Sequence, residues 1–156
     1  MKSDYQRTLK IDVSAAKAFA GISRVSEWWV KKTEGRSKQA GDVFTVRFSG
    51  ETFVTFLVTE SVPNKNATWK VTDCYLPWLK DKTEWTGTQV HWKLTEQDQS
   101  TEIDFTHEGL VPEVECYGGC VKGWDQYVLQ SLPKLFPGRR SVLQRTRTFA
   151  ARLRQN

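Results

Sequence analysis

The sequence predicts an α+β domain in which a curved antiparallel sheet of about six strands wraps around one long C-terminal helix, with two short helices after the first strand. Two observations predict it. Up to residue 107 the apolar residues alternate with polar ones in a succession of short stretches, whereas from Cys116 onward they recur at every fourth position. A chain of 156 residues, 38% apolar and 12% aromatic, has material for one core.

Tyr5, Leu9, Ile11 and Val13 share one parity, interrupted only by Arg7, and mark a half-buried first strand. Ser14 then caps the alanine-rich stretch AAKAFAGI, and Glu27 to Val30 form a second short helical piece. Gly35 and Gly41 mark the loop that follows. Three strands come next: Val43 to Phe48, Glu51 to Val62 and Thr68 to Leu76, with turns at Gly50 and at Pro63 to Asn66. Beyond Pro77, Val90, Trp92 and Leu94 alternate in one strand and Ile103, Phe105 and His107 in the next, joined at EQDQS as a hairpin. Pro112 suits the first turn of a helix, and Cys116, Cys120, Trp124, Val128 and Leu132 step along one side of it. That helix is expected to run about six turns, against a three-turn average, and to end or bend at Pro133.

Charge divides the chain. The net charge is +5, yet Arg139 to Asn156 holds six arginines and no acid, so setting those six aside leaves −1. Residues 1–138 therefore read as the folded domain and 139–156 as an arginine-rich extension, either solvated or docked on an anionic partner such as nucleic acid or a membrane surface. Nucleic acid is expected only through that tail. No stretch approaches the ~20 apolar residues of a membrane span and no secretion signal precedes Tyr5, so the expected location is cytoplasmic. Three cysteines, Cys74, Cys116 and Cys120, are then expected as free thiols.

The segment CYGGCVKGW frames the chemistry. Two cysteines with three residues between them lack the further ligands of a structural metal site, since His91 and His107 are the only histidines. The thioredoxin spacing has two intervening residues, and a disulfide across one turn of an intact helix is strained. Neither a metal nor another cofactor is expected. The small residues Cys116, Gly118, Gly119, Cys120 and Gly123 either let the sheet approach the helix closely or border an internal cavity walled by Tyr117, Trp124 and Tyr127. On the strands, Trp69, Val71, Asp73 and Tyr75 share one parity, and His107 ends the inward series from Ile103. Asp73 and His107 thus either direct polar groups into a cavity or make satisfied structural hydrogen bonds. No glycine-flanked serine, phosphate loop or dinucleotide fingerprint is present, so catalysis has no sequence support.

The stretches TLKIDVSAAKAFAGI, EWWVKKTEG, WTGTQVHWKL, TEIDFTHEGL and CYGGCVKGWDQYVLQSL resemble the START-like (SRPBCC, helix-grip) superfamily, over roughly residues 5–136. The last two resemble in particular its branch of activators of heat-shock chaperone ATPase, the Aha-type homologues. His107, Gly109, Cys120, Gly123 and Trp124 match that branch's pattern. The resemblance implies a sheet gripping the C-terminal helix, a cavity that in relatives holds apolar molecules, and cavity-facing Trp28, Trp29, Trp69, Trp92 and Phe105. Pro133 and the arginine-rich tail depart from the pattern, and the branch's namesakes carry a further N-terminal domain for chaperone engagement.

Three functions follow as expectations. The first is binding of a small hydrophobic or amphipathic molecule between sheet and helix, with Asp73 and His107 orienting its polar end. The second is an interaction protein of cochaperone or stress-response type, with a chaperone or other protein as partner. The third is a cyclase- or hydrolase-like enzyme working in the same cavity.

Overall fold

The computed structural model describes residues 3–136. Seven antiparallel strands form one sheet in the order β1-β7-β6-β5-β4-β3-β2. They are β1 Tyr5–Ile11, β2 Thr33–Gly35, β3 Val43–Arg47, β4 Phe53–Val62, β5 Asn66–Tyr75, β6 Gln89–Gln97 and β7 Ser100–Glu108. The strand not foreseen is β2, three residues too short to show a period, held against β3 by pairing of Gly35 with Phe44. Two short helices, α1 Ala15–Ser23 and α2 Val25–Trp28, follow β1, and the Ser14 hydroxyl accepts the Lys17 amide as the N-cap. The β6–β7 hairpin turns on Asp98 and Gln99, whose φ values of 53° and 68° make the primed turn that suits strand twist.

The C-terminal helix begins later than expected. Residues 112–116 form turns, and α3 starts at Tyr117 and runs to Trp124. The reason is local: the Glu84 carboxylate accepts the Glu115 and Cys116 amides and so closes the helix start there. A π-helical stretch, Asp125–Ser131, continues it, with the adjacent Val128 and Leu129 both buried. The last turn, Leu132–Leu135, is a 3₁₀ helix containing Pro133, which has no N–H to donate. The arginine-rich tail expected from Arg139 to Asn156 lies outside the described residues.

Aromatic side chains fill most of the space between sheet and helix. Trp28, Trp69, Trp92, Phe44, Phe56 and Phe105 are each no more than 1% exposed. Their rings pack edge to face, Trp69 against Trp92 at 5.4 Å and Trp92 against Phe105 at 4.7 Å. Trp28, Trp69, Trp92 and Phe105, expected on a cavity, are buried here against one another. At one edge, Arg7 on β1 explains its interruption of the apolar parity. It forms an ion pair with Asp125 at 2.9 Å, and the Tyr5 hydroxyl donates to the same carboxylate at 2.5 Å. Burial first, then the Asp125 hydrogen bond and charge, pushes the Tyr5 phenol well above its ordinary pKa.

This cluster ties β1 to the π-helical stretch. Asp125→Ala should leave a buried phenol and a guanidinium without their acceptor, at a cost of about 1–2 kcal/mol given partial exposure. Urea denaturation measures it, with Tyr5→Phe alone expected to cost less.

Candidate functional site

One apolar pocket of about 250 Å³ opens at the end of the grip where the helix is thinnest. Its helical wall is Cys116, Gly119, Cys120, Gly123, Trp124 and Tyr127; Phe48, Thr52 and Val54 come from the β3–β4 hairpin, and Trp29 from the end of α2. The remaining wall, Leu76, Trp78 and Trp85, comes from the loop between β5 and β6. The topology explains the opening. β6 pairs with β5 only from Asn66 to Lys70, and beyond that point the loop folds into the gap, with Val71 exchanging backbone hydrogen bonds with Thr88 and Gly87. A Cβ added at Gly119 or Gly123 would meet nothing within 4 Å, so these glycines face open space and not sheet.

Trp85 and Trp124 stack nearly parallel, 10° apart with centroids at 5.9 Å, and Trp29 lies 4.8 Å from Trp124. Trp78 is 60% exposed at the rim. Among the described residues, no Asp, Glu, Lys, Arg or His lines the pocket.

His107 sits behind this wall, fully buried. The Trp124 indole N–H donates to His107 Nδ1 at 3.0 Å, which places the ring proton on Nε2. Nε2 lies 2.8 Å from the Thr88 hydroxyl, and that hydroxyl donates to the Trp85 carbonyl at 2.7 Å. Both nitrogens are therefore satisfied within the protein, so His107 orients Trp124 and presents no group to the pocket. Burial, with His91's charge a smaller contribution, pushes its pKa down from 6.5 to about 3. Gly109 serves the same chain: its φ is +102°, and a Cβ there would lie 2.7 Å from the Thr88 side chain.

Asp73 is exposed, contrary to the expected inward placement. Thr55 pairs with Asp73 while Phe56 pairs with Val71, so Thr72 is bulged and the alternation slips by one residue. Cys74 turns inward instead, 1% exposed, and Asp73 accepts the Cys74 amide with its carboxylate. Tyr75 and Tyr117 are half-buried outside the pocket lining. Of the anticipated site residues, the pocket brings together Trp29, Cys120 and Trp124. The free-thiol expectation for Cys116 and Cys120 is likewise overturned: the two are disulfide-bonded, with Cα atoms 5.6 Å apart. That separation lies within the disulfide range, with Cys116 as the N-cap of α3 and its carbonyl accepting the Cys120 amide at 2.8 Å. Only Cys74 is free. Among the described residues no cluster of three His, Cys, Asp or Glu is placed to hold a metal, and no helix is long and apolar enough to cross a membrane.

A family model described as Activator of Hsp90 ATPase homolog 1-like protein matches residues 17–136. This chain belongs to that family. The family's fold is shared by the solution structure of the Aha1 dimer from Colwellia psychrerythraea, at TM-score 0.71 and 21% identity over 87% of this chain and 98% of that one. Protein MLL2253 from Mesorhizobium loti aligns at TM-score 0.66 and 20% identity, covering 84% and 96%. DynU16, from the dynemicin biosynthetic locus, aligns at TM-score 0.60 and 15% identity over 86% of this chain and 47% of its own. No curated protein sequence matches. At these identities the likeness to the solved structures is one of fold: helix-grip, as the sequence resemblance implied.

The depressed His107 pKa has a consequence for acid stability. Between pH 6.5 and about 3 the unfolded imidazole is protonated and the folded one is not, so folding loses stability as pH falls through that window. The contribution is about 1.4 kcal/mol per pH unit and is fully regained above 6.5. His107→Gln should cost about 2 kcal/mol at pH 7 yet flatten this slope, as read from urea midpoints between pH 4 and 8.

Proposed function

We propose that this chain binds a small, uncharged, largely apolar molecule in the pocket between α3 and the β5–β6 loop. The observation that carries the reading is the lining itself: four tryptophans around open space, glycines where the helix faces it, and no Asp, Glu, Lys, Arg or His among the described residues. Burying a charge there would go uncompensated, whereas a flat apolar ring would gain contact with Trp29, Trp85 and Trp124. The volume of about 250 Å³ falls just below the ~300–1,000 Å³ usual for drug-sized ligands, so the occupant is small. A polar end would meet Thr52, Tyr127 or solvent past Trp78, and not Asp73 or His107.

The same lining argues against acid–base catalysis in this pocket, because no titratable pair lies at its floor. A cochaperone or other protein-interaction role is supported by family membership and by the exposed Trp78 at the rim. The pocket's concave, almost wholly apolar lining favours the small molecule. We also propose that residues 1–138 form the domain and 139–156 an extension, a reading supported by a family match over residues 17–136.

Gly123→Leu tests the proposal directly. The added side chain enters open space and replaces a helical glycine, so the fold should be unchanged or stabilised by up to about 1 kcal/mol. Quenching of tryptophan fluorescence by 2-naphthol, expected for the natural chain, should be lost. Undiminished binding in a folded Gly123→Leu protein would place the ligand elsewhere.

A further inference from the structure

We propose that the Cys116–Cys120 pair is a thiol–disulfide exchange site for small apolar thiols admitted by the pocket. The inference rests on the reading that the pocket takes up small apolar molecules and adds a chemistry to its wall. Both cysteines line the pocket, and Gly119 and Gly123 beside them carry no side chain to cover the sulfurs. Their Cα separation of 5.6 Å lies in the middle of the disulfide range, so the pair opens and closes without a large backbone shift. The two sulfurs are not equivalent. Cys116 is 4% exposed and Cys120 is half-buried, so an incoming thiolate reaches Cys120 first.

The reaction balances with thiols alone. A thiolate RS⁻ attacks Cys120 Sγ, the Sγ–Sγ bond breaks, and Cys116 leaves with the electron pair and takes up the proton that RSH lost. A second thiol then attacks the mixed disulfide, releases RSSR and leaves Cys120 protonated. Two thiols are oxidised to one disulfide while the protein disulfide is reduced to two thiols, and the reverse reaction takes apolar disulfides as oxidants. At Cys116 two influences oppose: the start of α3 favours a departing thiolate, and the Glu84 carboxylate on the Cys116 amide disfavours it and promotes proton uptake. Among the described residues the lining carries no charged group, and this selects the substrate class. An aromatic or aliphatic thiol enters, while a charged one such as glutathione must leave its charge in water. The third cysteine does not compete, because Cys74 is buried, outside the lining, with Sγ 3.6 Å from the Thr86 hydroxyl.

The test compares 2-naphthalenethiol, its oxygen counterpart 2-naphthol and glutathione on the whole chain, with intact-mass and peptide-mass measurement. The expected result is a naphthalenethiol adduct on Cys120, followed in excess thiol by free Cys116 and Cys120, at a rate per thiolate about tenfold or more above glutathione. Added 2-naphthol should slow it by competition. The Cys120→Ser variant should form no adduct, while 2-naphthol binding is read by fluorescence on the natural chain. Rates equal for the two thiols, or an adduct persisting in Cys120→Ser, would overturn the exchange site and leave the binding proposal standing. Failure of 2-naphthol either to quench fluorescence or to compete would overturn the binding proposal itself, and the exchange site with it.

Discussion

One hydrogen-bonded chain holds the working parts of this domain together: Trp124 to His107, His107 to Thr88, Thr88 to the carbonyl of Trp85. It links α3, β7, the residue before β6 and the β5–β6 loop, the elements that meet around the pocket. A neutral imidazole can do this because it offers one acceptor and one donor on opposite sides of the ring. A carboxylate would lack the donor and a protonated imidazole the acceptor. Burial keeps the ring in the single protonation state in which the chain closes. The stacked Trp85–Trp124 wall and the left-handed Gly109 are consequences of that arrangement.

The interior consequently has two parts with different roles. Around Trp28, Trp69 and Trp92 the rings interlock and the grip is filled, so the sheet and helix are held by close packing. Toward the start of α3 the helix presents glycine and cysteine, and the sheet splits where β6 stops pairing with β5. Space is left where both partners are thin. The grip thereby leaves a compact apolar recess at one end, walled by aromatic rings and bordered by a disulfide.

Much of the fold was legible because period-two and period-four stretches mark different elements, as in Val54, Phe56, Val58 against Trp124, Val128, Leu132. The errors have local physical causes. One bulged residue, Thr72, reversed the parity on which Asp73 and Tyr75 were assigned inward. Glu84, remote in sequence, set where α3 begins. Arg7 was visible as an anomaly, but its partner Asp125 lies 118 residues away and carries no sequence mark. The β5–β6 loop supplies Leu76, Trp78 and Trp85, and its signal was available: large apolar residues in a polar loop that solvated turns do not require. Alternation reports which side chains point inward, as for Trp69 and Trp92, and not whether the interior beside them is full.

Of the chain's seven tryptophans, four line the pocket and three pack in the core. The most direct measurement is therefore a proton–nitrogen correlation spectrum of their indole N–H groups during titration with 2-naphthol. Resonances of Trp29, Trp78, Trp85 and Trp124 should move with saturable dependence while those of Trp28, Trp69 and Trp92 stay fixed. Movement concentrated in Trp28, Trp69 and Trp92 would show that the interior opens where this account has it filled, and would contradict it.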